Sequence, residues 1–232
     1  MKEAIILAGG FGTRLRSVVS DVPKPLAPVA GRPFLAYVLD ALVRQGYGHA
    51  VLATGYMHEK VEECFGKTYH GLKISYAREL EPLGTGGAIV NALQHCSTDS
   101  ITVLNGDTLF LADLGQLERY ADEKSTQLAI VLRAVPDAGR YGAVETDADG
   151  RITAFREKDP SAGAGNINGG IYRLQRHLLD GYTVGQQFSF EKEVMQQRYN
   201  SEAFYAYADE AYFIDIGVPE DYQRAQTELP RL

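Results

Sequence analysis

Tryptophan is absent from this 232-residue chain, and cysteine occurs only twice, as Cys64 and Cys96. Neither cysteine has a second cysteine or a histidine at ligand spacing, which excludes a disulfide framework and a thiolate metal site, so both are read as packing residues. No apolar run approaches the length of a membrane span, and no cationic leader precedes an apolar core. A reduced, cytoplasmic protein is expected. Positive charge is also scarce: 23 Lys and Arg stand against 30 Asp and Glu, a net charge of -7. That balance excludes a sequence-independent grip on nucleic acid, which needs a clustered excess of cations, whereas a small phosphorylated ligand needs only a local cluster. The five histidines are scattered, and none has a spacing that supports a catalytic role.

What is present suffices for a sizeable core, with 45% hydrophobic and 23% charged residues, and one domain over residues 1–232 is expected. Short β-rich runs at Glu3–Ala8, His49–Thr54, Lys73–Ala77 and Ile101–Asn105 alternate with helical patterns at Phe34–Gln45, His58–Phe65 and Gly86–His95. Such alternation is the mark of βαβ units on a mostly parallel sheet, hence an α/β fold. After a helix at Asp113–Lys124 the pattern turns to strands at Leu128–Val135, Gly142–Thr146, Ile152–Phe155 and Gly170–Leu174, which read as hairpins. A helical stretch at Phe190–Tyr199, strands at Ala203–Ala208 and Tyr212–Ile216, and a helix from Pro219 to Glu228 close the chain.

The apolar run Ile5-Ile6-Leu7 opens into Gly9, Gly10 and Gly12, followed by Thr13 and Arg14 and then by Lys24. Glycines at a strand end allow a sharp turn that presents backbone N–H groups to an anion, and Arg14 and Lys24 add charge around it. Two other phosphate motifs fail. A dinucleotide fingerprint needs glycine where Leu15 stands, and the Walker ending Gly66-Lys67-Thr68 lacks its upstream glycine, which is Val61.

Asp107 follows the apolar strand Ile101–Leu104, and Asp215 follows Phe213-Ile214, so both acids stand at strand ends, where ligands of open α/β sheets collect. Two such carboxylates suit Mg²⁺, which takes hard oxygens and shares them with substrate phosphates; the bland alternative is two turn residues. Asn166-Ile167-Asn168-Gly169-Gly170 is most simply a turn before a strand, and Glu157-Lys158 a solvated pair. In a functional version Asn168 binds sugar hydroxyls and Lys158 a sugar phosphate. The second glycine-rich loop, Glu81-Pro82-Leu83-Gly84-Thr85-Gly86-Gly87, opens a helix and allows close approach to a flat base. Glu79 and Glu81 beside it favour guanine, because a carboxylate can accept from both N–H positions of its Watson–Crick edge. Asp147-Ala148-Asp149 has the spacing of a glycosyltransferase metal motif, but Gly150 makes a hairpin turn the better reading.

Taken together, LAGGFGTRL, PKPLAPVAGRPFL, EPLGTGGAI, NGD, FREK, NGGIY and FIDIGVPEDY resemble the sugar-1-phosphate nucleotidyltransferase family, in order over nearly the whole chain. The resemblance implies a three-layer α/β/α, Rossmann-like domain with a mixed central sheet and a hairpin-rich sugar-binding half, without the β-helix domain of longer relatives. It implies that a sugar 1-phosphate attacks the α-phosphorus of a nucleoside triphosphate with Mg²⁺ assistance. By motif position, Leu7, Gly9, Gly10, Gly12, Thr13 and Arg14 would hold the nucleotide, with Arg14 on the departing pyrophosphate and Lys24 neutralising the phosphates. Glu81, Gly84 and Thr85 would line the base pocket, Asp107 and Asp215 would bind the metal, and Gly142, Glu157, Lys158, Asn168 and Gly169 would hold the sugar phosphate. The finer resemblance of ATGYMHEKVEECFG, EPLGTGGAI and FIDIGVPEDYQRAQ implies GTP as donor and a heptose 1-phosphate as acceptor, in bacterial surface-polysaccharide synthesis. Mannose, glucose or N-acetyl-sugar acceptors with GTP, UTP or dTTP are the rivals within this chemistry, and a non-catalytic nucleotide-sugar sensor is the rival outside it. A homodimer is compatible with the resemblance.

Overall fold

A computed structural model describes residues 1–10, 22–139, 141–156, 161 and 163–232 of the chain. Strand β1 (Lys2–Leu7) is followed, after a 3-10 turn at Lys24–Leu26, by the short strands β2 (Pro28–Val29) and β3 (Arg32–Pro33), then by α1 (Phe34–Arg44) and β4 (Tyr47–Thr54). Next come α2 (His58–Phe65), β5 (Thr68–Tyr69), β6 (Leu72–Arg78), α3 (Gly84–Leu93) and β7 (Ser100–Asn105). The remainder comprises β8 (Thr108–Phe110), α4 (Leu114–Glu123), β9 (Leu128–Val135), β10 (Val144–Thr146), β11 (Ile152–Phe155), β12 (Gly165–Gln175), a π-helical segment at Phe190–Gln196, β13 (Tyr205–Ala208), β14 (Phe213–Asp215) and α5 (Pro219–Glu228). Local chemistry sets several boundaries. Asp113 caps α4 by accepting from the N–H groups of Gly115 and Gln116, and Pro219 starts α5 with Glu220 and Asp221 at its positive end.

The main sheet has eight strands in the order β13-β9-β12-β7-β1-β4-β6-β5. β1 runs parallel to β4 and β7, and β4 parallel to β6, while β12 is antiparallel to both β7 and β9, so the sheet is mixed. Successive residues divide between two buried faces. Ile6, Leu52, Leu104 and Val131 pack beneath α1, α4 and α5, whereas Ile5, Val51, Val103 and Ile130 pack against α3 and the π-helical segment. This is the expected three-layer α/β/α arrangement.

The second half is less hairpin-rich than its turns imply. Among its described residues only β10 and β11 form a separate hairpin, and β9, β12 and β13 enter the main sheet. The cause is visible in β9, where Leu128 to Leu132 are all buried, since a strand buried on both faces needs a layer on each side. The expected turn at Asn166–Gly170 lies inside β12 as a bulge: Asn168 faces Leu132, Ile171 faces Val131, and Gly169 and Gly170 are the extra residues between.

Where β1, β4 and β6 begin, a polar row crosses the sheet. Glu3 Oε1 lies 2.9 Å from His49 Nδ1, and His49 Nε2 lies 2.9 Å from Ser75 Oγ. The other Glu3 oxygen accepts from the backbone N–H groups of Ser97 and Thr98 at 2.7 and 2.8 Å, and from both hydroxyls. Burial alone would raise this carboxyl, but the His49 and backbone hydrogen bonds outweigh it and lower the pKa from an ordinary 4.5 to about 2. Its stabilisation is therefore complete above pH 4.5 and is lost as pH falls toward about 2. Glu3→Gln is expected to cost about 2 kcal/mol at neutral pH, with a smaller difference from wild type in acid. Urea unfolding midpoints of the two proteins at neutral and acid pH measure this, and equal midpoints at neutral pH would contradict it.

Candidate active site

Three loops leave the ends of neighbouring strands in step. Ala8 N–H donates to Ala53 O, Glu79 N–H to Thr54 O and Gly106 N–H to Leu7 O, at 2.7 to 2.9 Å, so the loops after β1, β6 and β7 are stitched side by side. Together they line a cleft of about 280 Å³ whose wall includes Leu7, Gly9, Lys24, Glu79, Asp107 and Glu191. This is the place where open α/β sheets take ligands.

The floor of the cleft is a charge cluster. Lys24 sits between Pro23 and Pro25, and the Leu26 N–H to Pro23 O bond closes the turn around it, so its backbone is firmly placed. Its side chain is 8% exposed and its ammonium lies 2.6 Å from Asp107 Oδ2 and 3.8 Å from Asp215 Oδ1. The two acids are distant in sequence, and the pairing of β14 with β8 joins them: Asp215 faces Thr108, and Ile216 N–H donates to Asp107 O at 3.1 Å. Asp215 is oriented further by the Gly217 N–H, 2.6 Å from its Oδ1. One ammonium against two carboxylates leaves the trio net negative, which attracts a cation. Among the described residues no cluster of three or more His, Cys, Asp or Glu offers a closed metal cage. A pair of hard carboxylates with room beside it fits Mg²⁺ shared with substrate phosphates.

On the side facing the second glycine-rich loop, Glu79 lines the cleft, whereas Glu81 is exposed and lines an adjoining pocket with Tyr56 and Leu80. Burial raises the Glu79 carboxyl pKa, and the Leu83 N–H, 3.0 Å from Oε2, opposes that rise. A Cβ on Gly9 would stand 2.7 Å from Glu79 Oε1, so glycine there is what admits this carboxylate. Gly84 begins α3 with φ +70°, and a Cβ there would meet Phe188 O at 2.4 Å. The close approach lets Gly86 N–H donate to Phe188 O and Phe188 N–H to Leu83 O, both at 3.0 Å. Thr85 is in the cleft wall, but its hydroxyl is committed: it donates to Glu191 Oε2 and accepts from Phe190 N–H at 2.9 Å. Glu191 is a cleft residue that sequence reasoning missed, because FEKE in a helical pattern reads as an ordinary amphipathic turn.

Gly142, Asn168 and Gly169 are not in the described cleft wall. Asn168 is locked beside it, with Nδ2 donating to Tyr172 OH at 2.8 Å and Oδ1 accepting from Gly170 N–H at 2.9 Å. Burial pushes the Tyr172 phenol pKa up, and the charges of Glu191 and Asp107 add to the effect while the Asn168 bond opposes it. Gly142 and the chain leaving β11 are held together by the Val144–Phe155 register and the Arg156 N–H to Ala143 O bond. Gly12, Thr13, Arg14, Glu157 and Lys158 lie outside the described residues. Asp147-Ala148-Asp149 is a turn, as its sequence implies: Asp147 Oδ1 accepts from Asp149 N–H and Arg151 N–H, at 3.0 and 2.9 Å. Cys96 is partly buried with its thiol pKa raised to about 12, chiefly by burial, as suits a packing residue; Cys64 differs and lies exposed on α2. Its place outside the apolar stripe of Val61 and Phe65 accounts for that.

Residues 3–231 match the model of the nucleotidyl transferase family. The chain is 46% identical to D-glycero-alpha-D-manno-heptose 1-phosphate guanylyltransferase of Aneurinibacillus thermoaerophilus over 98% of both chains. It is 41% identical to the protein of the same name from Campylobacter jejuni, over 95% of this chain and 96% of that one. The crystal structure of HddC from Yersinia pseudotuberculosis complexed with GMP-PN superposes with a TM-score of 0.88 at 36% identity, covering 99% of this chain and all of that one.

Proposed function

We propose that this chain, which belongs to the nucleotidyl transferase family, transfers the guanylyl group of GTP to D-glycero-α-D-manno-heptose 1-phosphate, giving GDP-heptose and pyrophosphate. The observation that carries the reading is the buried Lys24 ammonium between Asp107 and Asp215 at the floor of the cleft. A phosphate oxygen of the acceptor attacks the α-phosphorus of GTP, the bond to the bridging oxygen breaks, and pyrophosphate leaves with that electron pair. Both reactants are anions, so the protein's work is to hold them in line and neutralise charge as it builds up. Lys24 supplies that charge at the floor of the cleft. Arg14 acts on the departing pyrophosphate and Lys158 on the sugar phosphate, in the roles that their motifs imply.

Asp107 and Asp215 hold Mg²⁺, which when bound supplies Lewis-acid charge at the phosphate oxygens. Gly9 and Gly10 bring backbone N–H groups toward the triphosphate. Glu79, rather than the exposed Glu81, reads guanine, as its place in the cleft favours. Gly142, Glu157, Asn168 and Gly169 position the acceptor. No helix among the described residues is long and apolar enough to cross a membrane, and the reading places the reaction in the cytoplasm, feeding bacterial surface-polysaccharide synthesis.

Purified protein with Mg²⁺, GTP and a panel of sugar 1-phosphates should release pyrophosphate, fastest with the heptose. A preference for UTP or dTTP, or for mannose 1-phosphate, would revise the substrates. Absence of release with every pair, alongside nucleotide-sugar binding by calorimetry, would replace the enzyme by a sensor.

A further inference from the structure

A separate pocket, of about 580 Å³, opens at the β6 edge of the sheet, lined by Lys67, Lys73, Ser75, Tyr76, Arg78 and His95 among others. Ser75 precedes Glu79 by about 13 Å of extended chain, so this place is separate from the cleft. The two differ in charge. Glu79, Asp107 and Glu191 line the cleft, but no acid is among the described residues lining this pocket, although the chain carries a net charge of -7. Arg78 is neutralised by Glu62, with Nε 2.6 Å from Oε1. Lys67 and Lys73 have no ion-pair partner among the described residues.

The pocket is also wired to the interior. Ser75 is the outward end of the row that runs through His49, 2% exposed, to Glu3, 4% exposed. Ionised Glu3 can only accept, so His49 donates from Nδ1; in the neutral imidazole Nε2 is then the acceptor, and the Ser75 hydroxyl donates inward. An anion in the pocket competes for that hydroxyl hydrogen, and on taking it deprives His49 Nε2 of its donor. Phosphate has the charge and the acceptor oxygens to engage ammonium and hydroxyl donors of this lining.

We propose that this pocket is a binding site for the phosphate group of a small anion, with Lys67 and Lys73 supplying counter-charge and His95 and Ser75 an imidazole N–H and a hydroxyl donor. The proposal does not depend on the transfer reaction. Ring ¹⁵N signals of the histidines, followed as inorganic phosphate is added to the whole protein, test it against chloride at equal ionic strength. His95 and His49 are expected to shift saturably with phosphate alone, and Lys67→Ala/Lys73→Ala, both on the surface, should weaken the affinity by at least about tenfold. In Ser75→Ala the His95 shift should remain and the phosphate-dependent His49 shift should disappear. A linear drift equal to that in chloride, or saturation unaltered in the double variant, overturns the site. A His49 response that persists in Ser75→Ala overturns the part assigned to the hydroxyl.

Discussion

Asp107→Asn is expected to lower kcat by at least about a hundredfold while leaving the protein folded, and Lys24→Ala should do the same. Asparagine keeps the size of Asp107 but removes a full negative charge from the pair that we propose holds a dication against phosphate oxygens. Lys24 fails in a different way. Its ammonium is buried 2.6 Å from Asp107, so alanine removes the positive charge nearest the reacting phosphates and leaves two carboxylates facing each other. The two variants are therefore separable. Raising Mg²⁺ should restore part of the Asp107→Asn rate, because weakened metal affinity is one component of its loss, and should restore much less in Lys24→Ala. Pyrophosphate release across a Mg²⁺ series, with circular dichroism to verify folding, provides the measurement; turnover within a few-fold of wild type in a folded variant removes that residue from the mechanism.

The second large effect concerns the base. Glu79→Gln should lower kcat/KM for GTP by about a hundredfold or more, because an amide cannot accept from two adjacent N–H donors as a carboxylate does, and a buried mismatch leaves polar groups unpaired. The loss should be much smaller for UTP, which offers one donor, so discrimination between the two nucleotides narrows. Glu81→Gln, on the exposed rim, should change neither by more than about twofold. Since burial raises the Glu79 carboxyl above the ordinary glutamate range, kcat/KM for GTP in the wild type should fall on the acid side at a pH above that range. Glu79→Gln should lack this acid limb. If Glu81→Gln shows the larger loss, the two assignments exchange.

Most of the fold was legible in the sequence because its periodicity is strong: the strands at Ile5, Val51 and Val103 and the helices at Phe34 and His58 carry clear alternation or amphipathic spacing. The parts that were not legible depend on partners remote in sequence. Nothing local in Leu128 to Leu132 says whether a buried strand joins a hairpin or a larger sheet, and nothing local in Asn166–Gly170 separates a turn from a bulge, since both ask for the same glycines. At the site, Lys24 and the two aspartates could be proposed from strand-end position and motif, but their meeting is a product of the β8–β14 pairing. Motif position puts Glu81 in the base pocket; the preference for Glu79 rests on exposure, which the sequence does not carry. Glu191 and His49 gave no signal at all, since each is defined by the neighbours that the fold brings to it.

The short β8–β14 ladder also sets a timetable for the growing chain. Strands β1, β4, β6 and β7 are parallel neighbours supplied by the first half of the sequence, so this part of the sheet leaves the ribosome before β14 exists. Asp107 and Lys24 emerge with it, but Asp215 does not arrive until β14 has been synthesised, so the carboxylate pair is among the last features to form. An unfinished chain would thus carry Lys24 and Asp107 without the second carboxylate.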